Sequence, residues 1–322
     1  MMQIALIGIA AGAASALLFA SVASGALLAI PLFYLAPLPI LIAAVGWSHL
    51  AGLIAAFVAA ISLAAALGGF FFVSFLIGIG LPAWWLGYLA LLARPAGPTP
   101  DDLEWYPIGR VVLWAAVLAA LVVTFGILAI GTDAESFRSG LRGAIERLLG
   151  LRADAPKRTT FTLPGLGEMD AVEFMVLITP PTAAVVALIT NLLALWLAAR
   201  TVRVSGRLKR PWPDLSTLSF PPSGHALLAA ALAATFLPGI VAIIAGVFAA
   251  SLLMGYALLG LAVVHALTRG INGRGFILGS IYGAIFVFGW PMLLMSLVGL
   301  TDALLDLRGR MPTTRGPPSL PT

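Results

Sequence analysis

The chain has 322 residues, of which 61% are hydrophobic and only 10% charged, with a mean hydropathy of +1.07 and a formal charge of +5. Soluble globular domains carry about 25% charged residues, so a water-soluble core is excluded. There is no cysteine, which removes disulfides, thiolate catalysis and Cys-ligated zinc.

Where the charges sit is more telling than their number. Residues 1–93 contain no Asp, Glu, Lys or Arg, and the first formal charge is Arg94. Further charge-free stretches cover 111–132, 174–199, 215–268 and 275–301. A helix needs about 20 residues to cross about 30 Å of hydrocarbon, and every stretch is long enough. The sequence therefore predicts an all-α, polytopic integral membrane bundle of about 8–9 transmembrane helices, with the lipid bilayer as its surroundings and a bacterial-type inner membrane as its location. Residues 1–307 read as a single transmembrane domain, and the Pro-rich 308–322 as a disordered tail.

In chain order, spans are expected at 4–22, 25–46, 49–67, 70–92, 109–131, 172–199, 220–237, 239–267 and 275–301. No basic residue precedes the first, and it runs into further apolar sequence, so it is expected to be retained rather than cleaved as a signal peptide. Pro31, Pro37 and Pro39 interrupt the second span, and Pro82 is expected to kink the fourth. The second span is then either simply kinked or broken around a cavity. Gly8 with Gly12, and Gly275 with Gly279 and Gly283, recur every four residues, a spacing that lets helices approach closely within the molecule or between copies.

Residues 132–171 mix acids and bases and are expected to stand outside the membrane. Phe137, Leu141, Ile145, Leu148 and Leu149 recur at helical steps, with Glu135, Arg138, Arg142 and Arg147 between them. This is an amphipathic helix, placed flat on the membrane surface or against a partner. The following loop at 200–210 holds Arg200, Arg203, Arg207, Lys209 and Arg210 with no acid, which assigns it to the cytoplasm. Basic residues placed by this rule imply no nucleic acid partner. Counting spans backwards puts the 94–108 loop and the N-terminus on the same side. The C-terminus breaks this parity. Three predicted spans separate the basic loop from Arg308, Arg310 and Arg315, so one is a hairpin, a re-entrant segment or a miscount, or the tail lies outside; 215–268 is the suspect stretch.

Few residues offer chemistry. Pro222-Ser223-Gly224-His225, with Arg203 and Arg210-Pro211 upstream, resembles the first two signatures of the type 2 phosphatidic acid phosphatase family. The resemblance implies a phosphate cradle and a leaving-group acid. The third signature, which supplies the nucleophilic His with its Asp four residues on, is missing: His265 is followed at that position by Arg269. A phosphohistidine route needs that activation, so no catalytic residue is assigned. The competing reading is a helix start with Ser223 as N-cap. His49 falls between two spans. Asn191 lies mid-helix in the sixth span, as a cross-helix hydrogen bond or a ligand contact. Trp84 and Trp85 line a pocket or belong to an interfacial belt. No metal-ligand spacing and no Walker loop are present, so neither a metal nor another cofactor is expected.

The last feature is Gly299-Leu-Thr-Asp302-Ala-Leu-Leu-Asp306-Leu-Arg308-Gly-Arg310, where Asp302 and Asp306 are each placed to pair with an arginine. Gly299, Asp302 and Arg308 in this element, with the charge-free opening spans and the Pro-rich segment around Pro37 and Pro39, resemble the YybS-like family of uncharacterised bacterial membrane proteins. That family is distantly similar to the substrate-binding S components of energy-coupling-factor transporters. The resemblance implies a non-enzymatic protein that binds or takes up a small solute and draws energy from a separate ATPase module. Trp84, Trp85 and Asn191 are its candidate ligand contacts. The alternative class is a membrane scaffold that organises protein partners through 132–171 and the basic loop.

Overall fold

A computed structural model describes residues 1–99, 102–150, 160–163 and 167–310. Among the described residues the protein is a helical membrane bundle with two short hairpins. Seven helical segments are long and apolar enough to cross a membrane: Met2–Ser24, Ala29–Gly46, His49–Leu67, Gly69–Ala90, Ile108–Ile130, Ala171–Val204 and Ile240–Leu267. The other two expected spans resolve differently. The seventh is the short helix Pro222–Ala234, and the ninth is two helices, Arg274–Phe288 and Pro291–Leu305. Internal contacts divide the chain into a unit of Met1–Pro213 with Pro222–Leu252, and one of Asp214–Pro221 with Leu253–Thr322.

The larger unit begins with α1 (Met2–Ala20) packed on α4 (His49–Leu67). Gly8 and Gly12 make this possible: a Cβ at Gly12 would lie 2.7 Å from the Ala55 carbonyl oxygen. The facing side of α4 is nearly all small, with Ala51, Gly52, Ala55, Ala56, Ala59 and Ala60 buried. Small residues let helices pack by van der Waals contact where lipid supplies no hydrophobic drive.

The proline-rich second span is broken rather than merely kinked. It consists of α2 (Ala29–Tyr34) and α3 (Pro37–Gly46), with Pro37 in the first turn of α3. First-turn N–H groups have no intrahelical acceptor, so proline costs little there. At the break, the buried Ser15 hydroxyl of α1 donates to Ala36 O at 2.5 Å and ties the start of α3 to α1. In the fourth span, α5 (Gly69–Phe75) passes through a π-helical turn at Leu76–Gly80 into α6 (Leu81–Ala90). The wide turn sits immediately ahead of Pro82 and accommodates its missing N–H.

A hairpin of β1 (Ala93–Pro95) and β2 (Leu103–Trp105) leads to α7 (Ile108–Ile130). The amphipathic helix α8 (Ala134–Leu148) follows, capped by Asp133 and Ser136. Its apolar face docks on the bundle: Phe137 joins Ala120, Ile127, Ala184 and Val247 in one buried cluster. β3 (Thr160–Leu163) and β4 (Gly167–Asp170) form a second hairpin before α9 (Ala171–Val204). At 34 residues, α9 runs about 50 Å and so extends beyond the hydrocarbon. Arg142 of α8 pairs with Glu173 of α9 at 3.2 Å. The unit also takes α10 (Pro222–Ala234) and the first part of α11 (Ile240–Leu267), where Ser251 donates to Ala116 O at 2.8 Å.

In the smaller unit, α12 (Arg274–Phe288) and α13 (Pro291–Leu305) are 15 residues each, about 22 Å long and short of a full crossing. Gly289 at φ +70 turns the chain between them. α13 crosses the later part of α11 at Gly260 and Gly299, where a Cβ at Gly299 would run into the Tyr256 carbonyl oxygen. Gly275, Gly279 and Gly283 behave otherwise. Among the described residues of their unit, a Cβ at any of them would meet nothing within 4 Å, so the expected packing face is not formed there. Both stretches depart from the expected full spans: 215–268 holds the short α10 and one full-length helix, and 275–301 turns at Gly289. Arg308 donates to the carbonyls of Ser216 and Leu218. The expected tail from 311 onward lies outside the described residues.

Two outcomes follow. Gly299→Ala should lower the melting temperature in detergent, whereas Gly279→Ala should leave it unchanged or raise it slightly, since alanine is favoured in a helix by about 1 kcal/mol. Because the chain has no cysteine, Leu215→Cys and Arg310→Cys can be labelled singly; an impermeant thiol reagent should reach both from the same side of the membrane.

Candidate functional site

A recess of about 300 Å³ opens where three connections of the larger unit converge, lined by Trp47, His49, Tyr88, Trp105 and Lys209 with Ala44, Ser48, Gly87, Leu91, Leu92 and Ala93. Each part is placed by a local rule. α3 ends at Gly46, Trp47 leaves helical geometry, and Ser48 caps α4 by accepting from Leu50 N at 3.2 Å. That two-residue link puts Trp47 and His49 at the rim. The β1–β2 hairpin pairs Ala93 with Trp105 and is closed at its base by Tyr106 N donating to Leu92 O at 2.8 Å. It thereby folds Trp105 back over the end of α6. Asp102 holds the hairpin turn by accepting from the Thr99 N–H and hydroxyl.

The basic loop after α9 completes the wall. Arg210 donates to Ala90 O and to Tyr106 O, both at 2.9 Å, tying the loop to α6 and the hairpin. Burial lowers its pKa from the ordinary guanidinium value, and the two carbonyls replace the water it has lost. Arg207 stacks over the Trp47 ring at 4.5 Å, and Arg203 over Trp212 at 4.9 Å. Lys209 is the cation of the loop that faces the recess.

Trp84 and Trp85 stand behind this wall rather than in it. The Trp84 ring stacks on Tyr88 at 6.4 Å, and Trp85 meets Tyr88 and Trp114 at 5.6 Å each. His49 meets the same tyrosine at 5.3 Å. Asn191 is 6% exposed and buried on the same α9 stripe as Leu188 and Ala194. It lies much deeper. Val202 packs on Gly46, and Gly87 packs on Ala44. Counting helical rise from these contacts sets Asn191 about 10 Å further into the bundle than Trp85. Among the described residues no ring contact or hydrogen bond joins the two tryptophans to Asn191, so the three expected contacts do not form one site.

The terminal element does assemble. The Asp302 side chain is 2% exposed and accepts from Arg308 Nε and Nη2 at 3.0 and 2.7 Å. It also accepts from the Arg308 backbone N–H at 3.2 Å, while Gly299 provides the crossing one turn earlier. Asp306 takes a different role from the one expected: it adopts φ 48 and accepts from Gly309 N, and no arginine pairs with it among the described residues. The motif is a staple between α13 and the 214–221 segment. At the far end of that segment Asp214, whose pKa the Ser216 N–H and hydroxyl draw below the usual carboxylate range, pairs with Arg269 at 3.2 Å.

The phosphatase-like stretch 222–225 forms the first turn of α10, which begins at Pro222, one residue before the expected cap Ser223. Arg210 and Arg203 are both engaged elsewhere, as described. His265 bonds the Tyr282 hydroxyl at 2.9 Å. Sequence reasoning missed Trp47, Tyr88, Trp105 and Lys209 as partners. Each sits within a few residues of a span end, and only the parity that puts 46–49, 94–108 and 200–210 on one side pointed to their meeting.

The chain belongs to the family described as "Predicted membrane protein (DUF2232)", which matches residues 13–303. No curated protein and no solved structure matches it.

The staple has a measurable worth. Arg308→Ala leaves a carboxylate buried without its partner and should destabilise the protein by about 3–5 kcal/mol. Arg308→Lys keeps the charge but loses the planar fork and should fall between; thermal unfolding in detergent reads both.

Proposed function

We propose that this member of a membrane-protein family binds a small solute in the recess at its basic face. The protein then resides in a bacterial-type inner membrane, and the positive-inside rule places the recess on the cytoplasmic side. The observation that carries the reading is the recess itself: four aromatic side chains and one cation around about 300 Å³, at the lower end of the range for small-molecule sites. Trp84 and Trp85 act through Tyr88 by fixing its ring. Asn191 is a separate deep polar group, the kind of intramembrane residue that marks a solute path.

The YybS-like resemblance fits this role, as does its distant likeness to transporter S components. In such an arrangement the chain is non-enzymatic, and a separate ATPase module engages it to drive uptake. We take residues 1–307 to work as one transmembrane domain, followed by a Pro-rich tail.

One observation favours the scaffold reading instead. α12 buries no side chain, and Phe276, Phe286 and Trp290 at and beside it are exposed, which leaves a face for a protein partner.

The test is ligand-induced stabilisation of the purified chain against a metabolite library. A hit should raise the melting temperature, and Trp47→Ala or Trp105→Ala should abolish the shift. Trp84→Ala and Trp85→Ala should weaken it several-fold, and Asn191→Ala should spare it if the recess alone holds the solute. A library without a single hit, together with a protein that copurifies on α12, would favour the scaffold.

A further inference from the structure

We propose that the recess is selective for anions: its ligand carries a carboxylate or phosphate joined to a small apolar body. This rests on the solute-binding reading above and adds the charge of the ligand to it. Of the residues that line the recess, none is an Asp or Glu, and Lys209 brings a full positive charge. Of the described acids on the neighbouring hairpin, Glu104 is paired with Arg94 at 2.7 Å, and neither it nor Asp102, which accepts from Thr99, lines the recess. The cations beside the recess are not neutralised by carboxylates. Arg207 lies over an indole ring, and Arg210 donates to two carbonyls, which leave its charge intact. The indole N–H of Trp47 is enclosed and has no acceptor among the described residues.

Positive charge thus exceeds negative charge among the side chains that line the cavity. A cationic ligand would meet repulsion there, and a neutral one would leave Lys209 without a counter-charge. An anion satisfies Lys209 through a charge-assisted hydrogen bond, while the rings of Trp47, Tyr88 and Trp105 cover its apolar body. The volume equals that of about ten water molecules at about 30 Å³ each, which suits a single ring or short chain with its anionic group.

The same chemistry is offered by a soluble metabolite and by an anionic lipid headgroup, and the test separates them. The full chain is placed in phosphatidylcholine nanodiscs at low salt and titrated with phenyl phosphate, benzoate, benzyl alcohol and benzylamine, read by thermal shift. The two anions should bind saturably and at least about tenfold more tightly than benzyl alcohol, the scale of one charged hydrogen bond. Benzylamine should not bind. Lys209→Gln should weaken the anions about tenfold, whereas Arg138→Gln on α8, which removes the same charge elsewhere, should not. If benzyl alcohol or benzylamine binds as well as the anions, the solute site stands and its anion selectivity is overturned. If the anions fail but nanodiscs with phosphatidylglycerol stabilise the wild type and not Lys209→Gln, the anion is a lipid headgroup: selectivity holds and the soluble solute falls. If neither the four compounds nor phosphatidylglycerol bind, both readings are overturned.

Discussion

Hydrocarbon offers no water to a backbone N–H or C=O, so each one freed from a helix must find a partner inside the protein. Among the described residues, several side-chain donors add bonds to backbone carbonyls, most of them on a neighbouring helix. Ser15 reaches Ala36 O where the second span breaks, Ser251 reaches Ala116 O, and Ser296 reaches Leu253 O. Thr179 bonds Met175 O just ahead of the paired prolines of α9. The two most committed arginines follow the same rule: Arg210 closes carbonyls at the end of α6 and the hairpin, and Arg308 closes two in the 214–221 segment. The serine bonds tie α1 to α3, α11 to α7 and α13 to α11.

The site is a consequence. A loop of five basic residues would ordinarily present five solvated charges. Here Arg210 is held by carbonyls, and Arg203 and Arg207 lie on indole rings. The loop is thereby drawn over the mouth of the bundle, and Lys209 is turned toward the aromatic recess. The smaller unit is built by close backbone approach and one buried ion pair instead, since its half-length helices bury little. Gly260 and Gly299 permit the approach, and Asp302 with Arg308 fixes where α13 ends.

Most of the membrane architecture was legible in the sequence, because absence of charge over about 20 residues has few other causes. The third span, His49–Leu67, matches to the residue. The ninth did not, because Gly289 and Trp290 are as apolar as a helix interior, and hydropathy does not register a turn at positive φ. Glycine spacing misled for a related reason. Periodicity states which residues share a face and says nothing of whether a neighbour covers it, so the ladder at 275–283 looked like an interface and Gly260 with Gly299 went unnoticed. Trp84 and Trp85 lie near the end of α6 that borders the recess, but outside its lining. The recess itself depends on a hairpin register and a cap at Ser48, which single-residue signals do not carry.

Native mass spectrometry of the chain, released gently from its own membranes, reads whether the recess holds a small solute. A stoichiometric small adduct is expected on the wild type and should disappear in Trp47→Ala. A bare wild-type chain, or an adduct that survives the loss of Trp47, would rule out a solute in the recess.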